Sequence, residues 1–362
     1  MKVKTILIIT FFAFIYGQPE DCSDGRYINE IFDVSIDYGI EYGENTNQAL
    51  FGQDITETLY MDIYSPSDDD FNSRPLIFFM FGGSFIGGSR LSPDIVALCT
   101  KYAQRGYVAV AIDYRLTPML IFNANEETAY KAVLKAMHDV KAAIRYFRMM
   151  DESSPELYHV DPNRIFVGGV SAGAIAAVNV GYLNYIEEIP SFLMDEYDSL
   201  GGLEGNSGNE GYDSSFHGIV NLCGAVGDAS WIEEGDIPIV SMHGDPDGTG
   251  PYSDNSVTLF GLDVQVYGSY LINETMNYLG NYSSLYTYVG EAHVPFTNNM
   301  NFEIEFIADF LYEIVCENPT GDINEDDLIN ILDVIVLINL VLSGEYQNNG
   351  DLNVDPHHNK IY

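Results

Sequence analysis

The chain has 362 residues, of which 46% are hydrophobic and 13% aromatic, enough for one large domain with a packed core and a small additional module. It carries 54 acidic residues against 15 basic ones, a formal net charge of −39. A surface this acidic repels phosphate backbones and anionic bilayers, which excludes nucleic acid as a partner and favours cations and uncharged substrates.

The first 17 residues have the pattern of a secretory signal peptide. A basic start is followed by an apolar run of about a dozen residues that ends at a small residue. This run is too short for a transmembrane anchor, so we expect an exported mature chain, from residue 18, without a membrane span. An even number of cysteines permits two disulfides in an exported chain. The sequence leaves their pairing open: Cys22, Cys99, Cys223 and Cys316.

Strand-like and helix-like segments alternate along the chain. An alternating pattern at 57–64 predicts an early strand, and the continuous apolar run at 76–81 predicts a strand buried on both faces. The further elements in order are a helix at 93–105, a strand at 107–114, a helix at 126–150, a strand at 164–168, a helix from 172, strands at 218–224, 237–242 and 285–289, and a helix at 297–315. This order predicts an α/β fold with a doubly wound, mostly parallel sheet.

The pentapeptide Gly-Val-Ser-Ala-Gly occupies positions 169–173, between a predicted strand and a predicted helix. G-x-S-x-G at such a junction is typical of a nucleophile elbow, a sharp turn that exposes the hydroxyl of Ser171. Gly169 and Gly173 are required because a Cβ at either place would clash with the neighbouring strand or helix. By itself the pattern also fits a Gly-rich strand–helix turn without chemistry.

A Gly-rich loop, Phe-Gly-Gly-Ser at 81–84, follows the buried strand. It is similar to the HGGG-type loop that supplies oxyanion-hole amides, with Phe81 in place of His and Ser84 in place of the third Gly. Neither change removes a backbone donor, so we assign the oxyanion hole to the N–H groups of Gly83, Ser84 and Ala172. The alternative is a Gly-rich surface turn.

An acid and a base follow the serine in chain order. The strand at 237–242 leads into His243-Gly-Asp245-Pro-Asp247, and both aspartates are candidates for the acid. Resemblance to the H-G-x-x-D-x-x-V-P-Y pattern of many secreted esterases and peptidases favours Asp247, although both could instead cap a following helix. His293, after the next strand, is the predicted general base. His243 is expected to support the acid turn.

Residues from about 50 to 316 therefore resemble an esterase/lipase-type α/β-hydrolase, near the carboxylesterase, hormone-sensitive-lipase-like and feruloyl-esterase-like groups. The resemblance implies a triad of Ser171, Asp247 and His293. Asp-Tyr-Arg-Leu at 113–116 is frequent in these groups, and we expect Arg115 to support the oxyanion loop. The Gly-rich stretch at 201–211 is expected to shape the entrance of the site.

The composition changes after a short linker at 317–320, and residues 321–362 form a predicted small module. Oxygen ligands stand at EF-hand-like spacing in its first loop, which predicts Ca²⁺ binding. The six ligands are Asp322, Asn324, Asp326, Leu328 (through its carbonyl), Asn330 and Asp333. A second, incomplete copy begins at Asp351, and the pair resembles a type I dockerin, which implies a cohesin-bearing scaffold as partner. The alternative is an acidic, solvated tail.

The sequence thus predicts a hydrolase domain at 18–316 and a secreted serine esterase that needs no cofactor for catalysis. The dockerin-like tail associates it with acyl or feruloyl esters of plant polysaccharide, and with a scaffold or cell surface. Two other functions stay open: a prolyl-oligopeptidase-type serine peptidase, and a non-catalytic binding protein on a hydrolase fold.

Overall fold

The computed structural model describes residues 22, 24–49, 53–118, 125–194, 197–296, 300–316, 334–336 and 338–339. The chain divides into two compact units, Gly25–Val315 and a smaller one made of Met1–Asp24 with Cys316–Tyr362. None of the helices in the described ranges is long and apolar enough to cross a membrane. The predicted signal peptide and the linker at 317–320 lie outside the described residues.

An eight-stranded sheet organises the larger unit. Its strands are β1 (Asp33–Gln48), β2 (Asp54–Ser67), β3 (Arg74–Met80), β4 (Val108–Ile112), β5 (Val160–Val170), β6 (Ile219–Leu222), β8 (Ile239–Gly244) and β11 (Ser283–Tyr288). Their spatial order is β1-β2-β4-β3-β5-β6-β8-β11. In this order β1, β2 and β4 pair antiparallel, and the strands from β4 to β11 run parallel. The carboxyl ends of the parallel strands meet at one edge, where α/β proteins place their ligands.

A second, three-stranded antiparallel sheet has the order β7-β10-β9. Its strands are β7 (Ala225–Val226), β9 (Asp254–Leu259) and β10 (Leu262–Gly268). The α-helices are α1 (Pro93–Ala103), α2 (Glu126–Ser153), α3 (Ala172–Tyr182), α4 (Ser269–Tyr278) and α5 (Asn301–Cys316).

The predicted central strands are present. A sheet that is covered on both faces requires continuous apolar runs, and these strands have them. All seven residues of β3 and all five of β4 are buried. Helix α2 begins at a capping box in which the side chain of Asn125 accepts from the amide of Thr128. The strands β1, β7, β9 and β10 and the helix α4 were not predicted.

One disulfide joins Cys22 to Cys316, across a sequence separation of 294 residues and within the smaller unit. Cys99 and Cys223 are buried free thiols. The pairing that the sequence left open is therefore one bridge and two unpaired core cysteines.

Candidate active site

Ser171 lies at the sharp turn between β5 and α3. Its backbone has φ +53°, a left-handed conformation that residues other than glycine rarely adopt. Its amide donates to the carbonyl of Leu222 on the neighbouring strand (2.8 Å). The turn needs Gly173, since a Cβ there would stand 2.1 Å from the carbonyl oxygen of Met80. The chain thus holds the serine at the carboxyl end of the central strand.

The structure brings Ser171, His293 and Asp247 together in one hydrogen-bonded row. The distance from Ser171 Oγ to His293 Nε2 is 2.8 Å, and that from His293 Nδ1 to Asp247 Oδ2 is 2.5 Å. A carboxylate only accepts, so His293 Nδ1 carries the proton and Nε2 is free to accept from the serine hydroxyl. The side chain of Asp247 is fully buried, whereas that of His293 is 19% exposed. The row therefore runs from the interior toward solvent.

Asp247, and not Asp245, faces the histidine. Its Oδ1 accepts from the amides of Thr249 (2.8 Å) and Gly250 (3.0 Å), which fix the carboxylate in its turn. Burial alone would raise the pKa of Asp247, but hydrogen bonds from His243, His293 and the amide of Thr249 hold that pKa well below its ordinary value. Asp245 instead accepts from the amide of Gly290 through Oδ1 (2.6 Å).

His243 supports the acid turn, as expected from the sequence, and the contact is direct. Its buried ring places Nε2 3.1 Å from Asp247 Oδ2 and 3.0 Å from the carbonyl of Gly250, so this nitrogen carries a proton. Nδ1 lies 2.7 Å from Ser269 Oγ, whose hydroxyl is the available donor. Ser269 in turn accepts from the side chain of Asn221 (3.0 Å). Ser269 lies on an unpredicted helix, and no sequence signal identified it.

The Gly-rich loop at 81–84 lies against the serine. A Cβ on Gly82 would come within 3.1 Å of Ser171 Cβ. Gly83 has φ +130°, and a Cβ there would stand 2.1 Å from the carbonyl oxygen of Gly87, so only glycine fits. Among the described residues, no backbone carbonyl accepts from the amides of Gly83, Ser84 or Ala172. Ala172 is the first residue of α3, where helix amides lack intrahelical partners.

The prediction for Arg115 was wrong. Its guanidinium pairs with Asp139 of α2 (2.8 Å) and donates to the carbonyl of Thr46, both of which lie far along the chain from the 81–84 loop. Two other residues of the same segment hold that loop. The hydroxyl of Tyr114 donates to the carbonyl of Phe81 (2.7 Å), and the amide of Thr117 donates to the carbonyl of Phe85 (2.8 Å).

The Gly-rich stretch at 201–211 also lies elsewhere than expected. Its carbonyls accept from α2: Gly202 from His138 (2.8 Å), and Gly208 from Arg145 (3.0 Å). The carbonyl of Ser207 accepts from the amide of Glu44 on β1 (3.0 Å). This stretch therefore joins α2 to β1, and its carbonyls accept from buried side chains of α2.

Cys223 lies beside the acid turn. Burial raises the pKa of its thiol to about 12, so it stays protonated at neutral pH. A thiol in this form is a weak nucleophile, which leaves Ser171 as the nucleophile of the row.

The predicted calcium ligands Asp322, Asn324, Asp326, Leu328, Asn330 and Asp333 lie outside the described residues. Of the predicted module, only 334–336 and 338–339 are described, and they are helical.

A hydroxyl on a strained turn, a histidine ready to accept its proton and a buried carboxylate behind that histidine can perform nucleophilic acyl transfer. The backbone amides of Gly83, Ser84 and Ala172 beside the hydroxyl can stabilise the negative charge that develops on a carbonyl oxygen.

The chain is also similar in sequence to known proteins. Residues 61–226 match the BD-FAE family model. Esterase LipC of Mycobacterium tuberculosis is 27% identical over 162 residues, which are 44% of this chain and 36% of that protein. The matched region thus spans about a third of that curated relative's length.

Two solved structures share the architecture. Thermogutta terrifontis esterase 2, solved as the form phosphorylated by paraoxon, has a TM-score of 0.52 at 23% identity, covering 75% of this chain and 94% of its own. A truncated carbohydrate esterase from gut microbiota has a TM-score of 0.54 at 18% identity, covering 82% of this chain and 99% of its own. With the strand order described above, these likenesses show that the chain has the α/β-hydrolase fold.

Proposed function

We propose that this protein is a serine esterase that hydrolyses carboxylic esters with Ser171 as nucleophile, His293 as general base and Asp247 as the acid that orients it. The observation that carries the proposal is the row from Ser171 Oγ through His293 to Asp247, with distances of 2.8 and 2.5 Å. Esterases among the chain's relatives support an ester as the substrate.

The reaction proceeds in two steps. His293 Nε2 takes the proton of Ser171 as Oγ attacks the ester carbonyl, and the amides of Gly83, Ser84 and Ala172 stabilise the oxyanion. His293 then gives this proton to the departing alcohol, which leaves an acyl group on Ser171. Water, deprotonated by the same nitrogen, releases the acid and restores the serine. Asp247 stays ionised throughout, because its hydrogen bonds keep its pKa low.

Replacing Ser171 by Ala tests the proposal. We expect hydrolysis of p-nitrophenyl acetate to fall by at least about 10⁴-fold, because the variant has no nucleophile, while the circular dichroism spectrum stays unchanged. Ser153→Ala is a matched control, since Ser153 is exposed at the far end of α2. Wild-type activity in Ser171→Ala would exclude this serine as nucleophile.

A prolyl-oligopeptidase-type peptidase uses the same order of serine, acid and histidine, and a non-catalytic hydrolase-fold protein remains the other alternative. Parallel assays on p-nitrophenyl acetate and on a prolyl-p-nitroanilide separate the three. We expect turnover of the ester and none of the anilide. Anilide turnover would favour the peptidase, and turnover of neither would favour the binding protein.

We further propose that the enzyme is exported and acts on acyl or feruloyl esters of plant polysaccharide. The N-terminal pattern at 1–17 supports export, and the dockerin-like motif supports attachment to a polysaccharide-degrading scaffold. A panel of acetylated xylan, feruloylated xylan and simple alkyl esters tests the substrate class. Higher kcat/KM on the polysaccharide esters is expected, and activity confined to alkyl esters would contradict it.

The calcium loop of the C-terminal segment is a proposal of the same kind. Isothermal titration of the full chain with Ca²⁺ should show a site that Asp322→Ala removes and that Asp351→Ala leaves in place, because the second copy is incomplete. A pull-down with a cohesin, with and without chelator, tests the partner. Heat signals identical in wild type and Asp322→Ala would contradict the ligand assignment.

A further inference from the structure

A groove on the surface of the larger unit lies outside the catalytic row. Its volume is about 440 Å³, and the described residues that line it include none of the row and none of the 81–84 loop. Two aromatic side chains and three carboxylates line it: Tyr130, Trp231, Glu187, Glu188 and Asp228. The mechanism derived above uses none of these side chains, so a ligand of this groove binds at a second site.

The ring of Trp231 is held in the wall of the groove by the chain around it. Trp231 is the last residue of a short 3₁₀ helix, Ala229–Trp231. Asp228 caps this helix, since its Oδ1 accepts from the amide of Ser230 (2.9 Å). A Cβ on Gly227 would stand 2.6 Å from the ring, so the ring lies where it does because that residue has no side chain. The aromatic face is therefore in place before a ligand arrives, which lowers the entropy lost on binding.

Tyr130 and Phe192 extend the aromatic surface beside Trp231. Their rings meet edge to face with centroids 5.5 Å apart, and Phe192 is 43% exposed. The C–H groups on one face of a sugar ring are apolar, and they pack against the electron-rich face of an aromatic ring. An exposed aromatic surface of this kind suits the apolar faces of successive sugar rings.

The groove also presents hydrogen-bond donors and acceptors that the fold leaves unused. Within the described residues, the indole N–H of Trp231 and the hydroxyls of Tyr130 and Ser230 take part in no hydrogen bond. Burial raises the pKa of Tyr130, so its hydroxyl keeps its proton and can donate. In the same part of the chain, the carboxylate of Glu187 and Oδ2 of Asp228 accept from no group. A ligand rich in hydroxyl groups, which both donate and accept, can use all of these atoms.

The size of the groove and the charge of the protein narrow the class of ligand. A water-sized group occupies roughly 10–15 Å³ of such a volume, so 440 Å³ admits roughly 30 to 40 groups, close to the number of non-hydrogen atoms in three linked pentoses. An organic ammonium ion also binds aromatic faces and carboxylates. It would fill a small part of this volume and would leave the free donors without acceptors. The net charge of −39 repels anionic glycans, so the ligand is an uncharged one.

We propose that this groove is a second, non-catalytic site that binds about three units of an uncharged polysaccharide chain. The choice of a glycan rests on the proposed action on polysaccharide esters, whereas binding itself does not depend on the catalytic row. A bound chain keeps the enzyme at its polymer and so raises the effective concentration of ester groups near Ser171. The site should therefore matter for polymeric substrates and not for small esters.

Fluorescence of the full wild-type chain tests binding without catalysis, because Trp231 is the single tryptophan. The probes are xylose, xylobiose and xylotriose, which carry no ester, and tetramethylammonium chloride. We expect a saturable change in emission with the sugars and an affinity that rises at least about tenfold from xylose to xylotriose, because a longer chain contacts more of the aromatic surface. Emission unchanged by every sugar, or changed by tetramethylammonium alone, would overturn the proposal.

Affinity electrophoresis in a gel that contains xylan compares variants. Trp231→Ala should weaken binding about tenfold or more, and Trp231→Phe, which keeps an aromatic face, by less than about threefold. Glu187→Ala removes an exposed acceptor and should weaken binding about threefold. Tyr278→Ala is the matched control, since Tyr278 is 89% exposed and lies outside the groove. Wild-type binding in Trp231→Ala, or in Glu187→Ala should the first variant not fold, would overturn the proposal.

Kinetics separate this proposal from the esterase proposal. Glu187→Ala should keep kcat/KM for p-nitrophenyl acetate within about twofold of wild type and lower that for acetylated xylan about threefold, because only the polymer reaches the groove. Ester hydrolysis by a wild-type chain that binds no xylan would contradict only the second site. Xylan binding without any ester hydrolysis would contradict only the esterase proposal.

Discussion

Two buried hydrogen-bond networks, each centred on an aspartate, have similar chemistry and different roles. The Asp247 network contains Ser171, His293, Asp247, His243 and Ser269. The Asp139 network contains Asp139, Arg115, Ser207 and the backbone around them. Each carboxylate is buried and accepts several hydrogen bonds.

The networks differ in where they end. Asp139 accepts from the backbone amide of Arg115 (2.7 Å), from its guanidinium and from the hydroxyl of Ser207 (2.7 Å), and Arg115 ends on the carbonyl of Thr46 (3.0 Å). The Asp247 network ends on the hydroxyl of Ser171, and no carboxylate or carbonyl in the described part of the chain accepts from it. The Asp139 network, whose groups bond to one another and to the backbone, stabilises the fold. The Asp247 network ends on an exposed nucleophile, so it can also transfer a proton.

The largest expected effect separates the two aspartates of the acid turn. Asp247→Asn should lower kcat for p-nitrophenyl acetate by about 10³ to 10⁴-fold, because the amide no longer fixes the histidine tautomer or stabilises its charged form. Asp245→Asn removes only an acceptor for the amide of Gly290 and should cost less than about tenfold. Equal losses in the two variants would contradict the assignment of the acid.

Breaking the Asp139 network should lower the stability of the fold and leave the catalytic rate nearly unchanged. Asp139→Asn leaves the buried Arg115 charge without its partner, so we expect the free energy of unfolding to fall by about 3–5 kcal/mol. Urea unfolding measures this, and kcat per folded molecule should stay within about twofold. The control Glu127→Gln breaks a partly exposed pair with Lys131 and should change stability by less than about 0.5 kcal/mol. A large loss of kcat in folded Asp139→Asn would contradict the distinction between a stabilising network and a catalytic one.

Acidification tests the same region through His138. Burial, followed by the charge of Arg115, lowers the pKa of His138 to about 4 from its ordinary 6.5. Between these values the unfolded chain binds more protons than the folded one, so stability falls as the pH falls from 6.5 to 4. His138 should contribute up to about 3 kcal/mol to that fall. His138→Gln should therefore show a shallower dependence in urea unfolding, and an identical slope would contradict the assignment.

The smallest effect concerns the residues behind Asp247. His243→Phe removes a hydrogen bond to the acid, and we expect kcat to fall about tenfold with KM nearly unchanged, because His243 positions Asp247 and lies away from the substrate. Ser269→Ala should cost only about two- to threefold. Measured kcat and KM for both variants check this order. A rise in KM without loss of kcat would point to substrate contact instead.

The sequence predicted the parts of the fold that local patterns determine. Strand β3 is a continuous apolar run because both its faces are covered, and the elbow needs glycines at fixed spacing whatever surrounds it. The order of serine, acid and histidine follows from the order of the strands that carry them.

The rest depends on contacts between distant segments. Arg115 meets Thr46 and Ser207, which are 69 and 92 residues away, and no periodicity records such pairs. The β9–β10 hairpin did carry a signal: Val257, Leu259, Val264 and Val266 alternate with polar residues around a Phe-Gly turn. That segment follows the acid turn directly, and its second strand, β10, pairs with β7 and not with the main sheet.

The central claim is that Ser171 is an activated nucleophile at the open end of the Asp247 network. Paraoxon tests it directly, because attack by Oγ on phosphorus expels p-nitrophenolate and leaves a diethylphosphoryl group on the serine. Intact-mass and peptide mass spectrometry should show one such group per chain, on Ser171, formed much more slowly in Asp247→Asn and at the wild-type rate in Ser153→Ala. An unlabelled chain, or a label on another residue, would contradict the account.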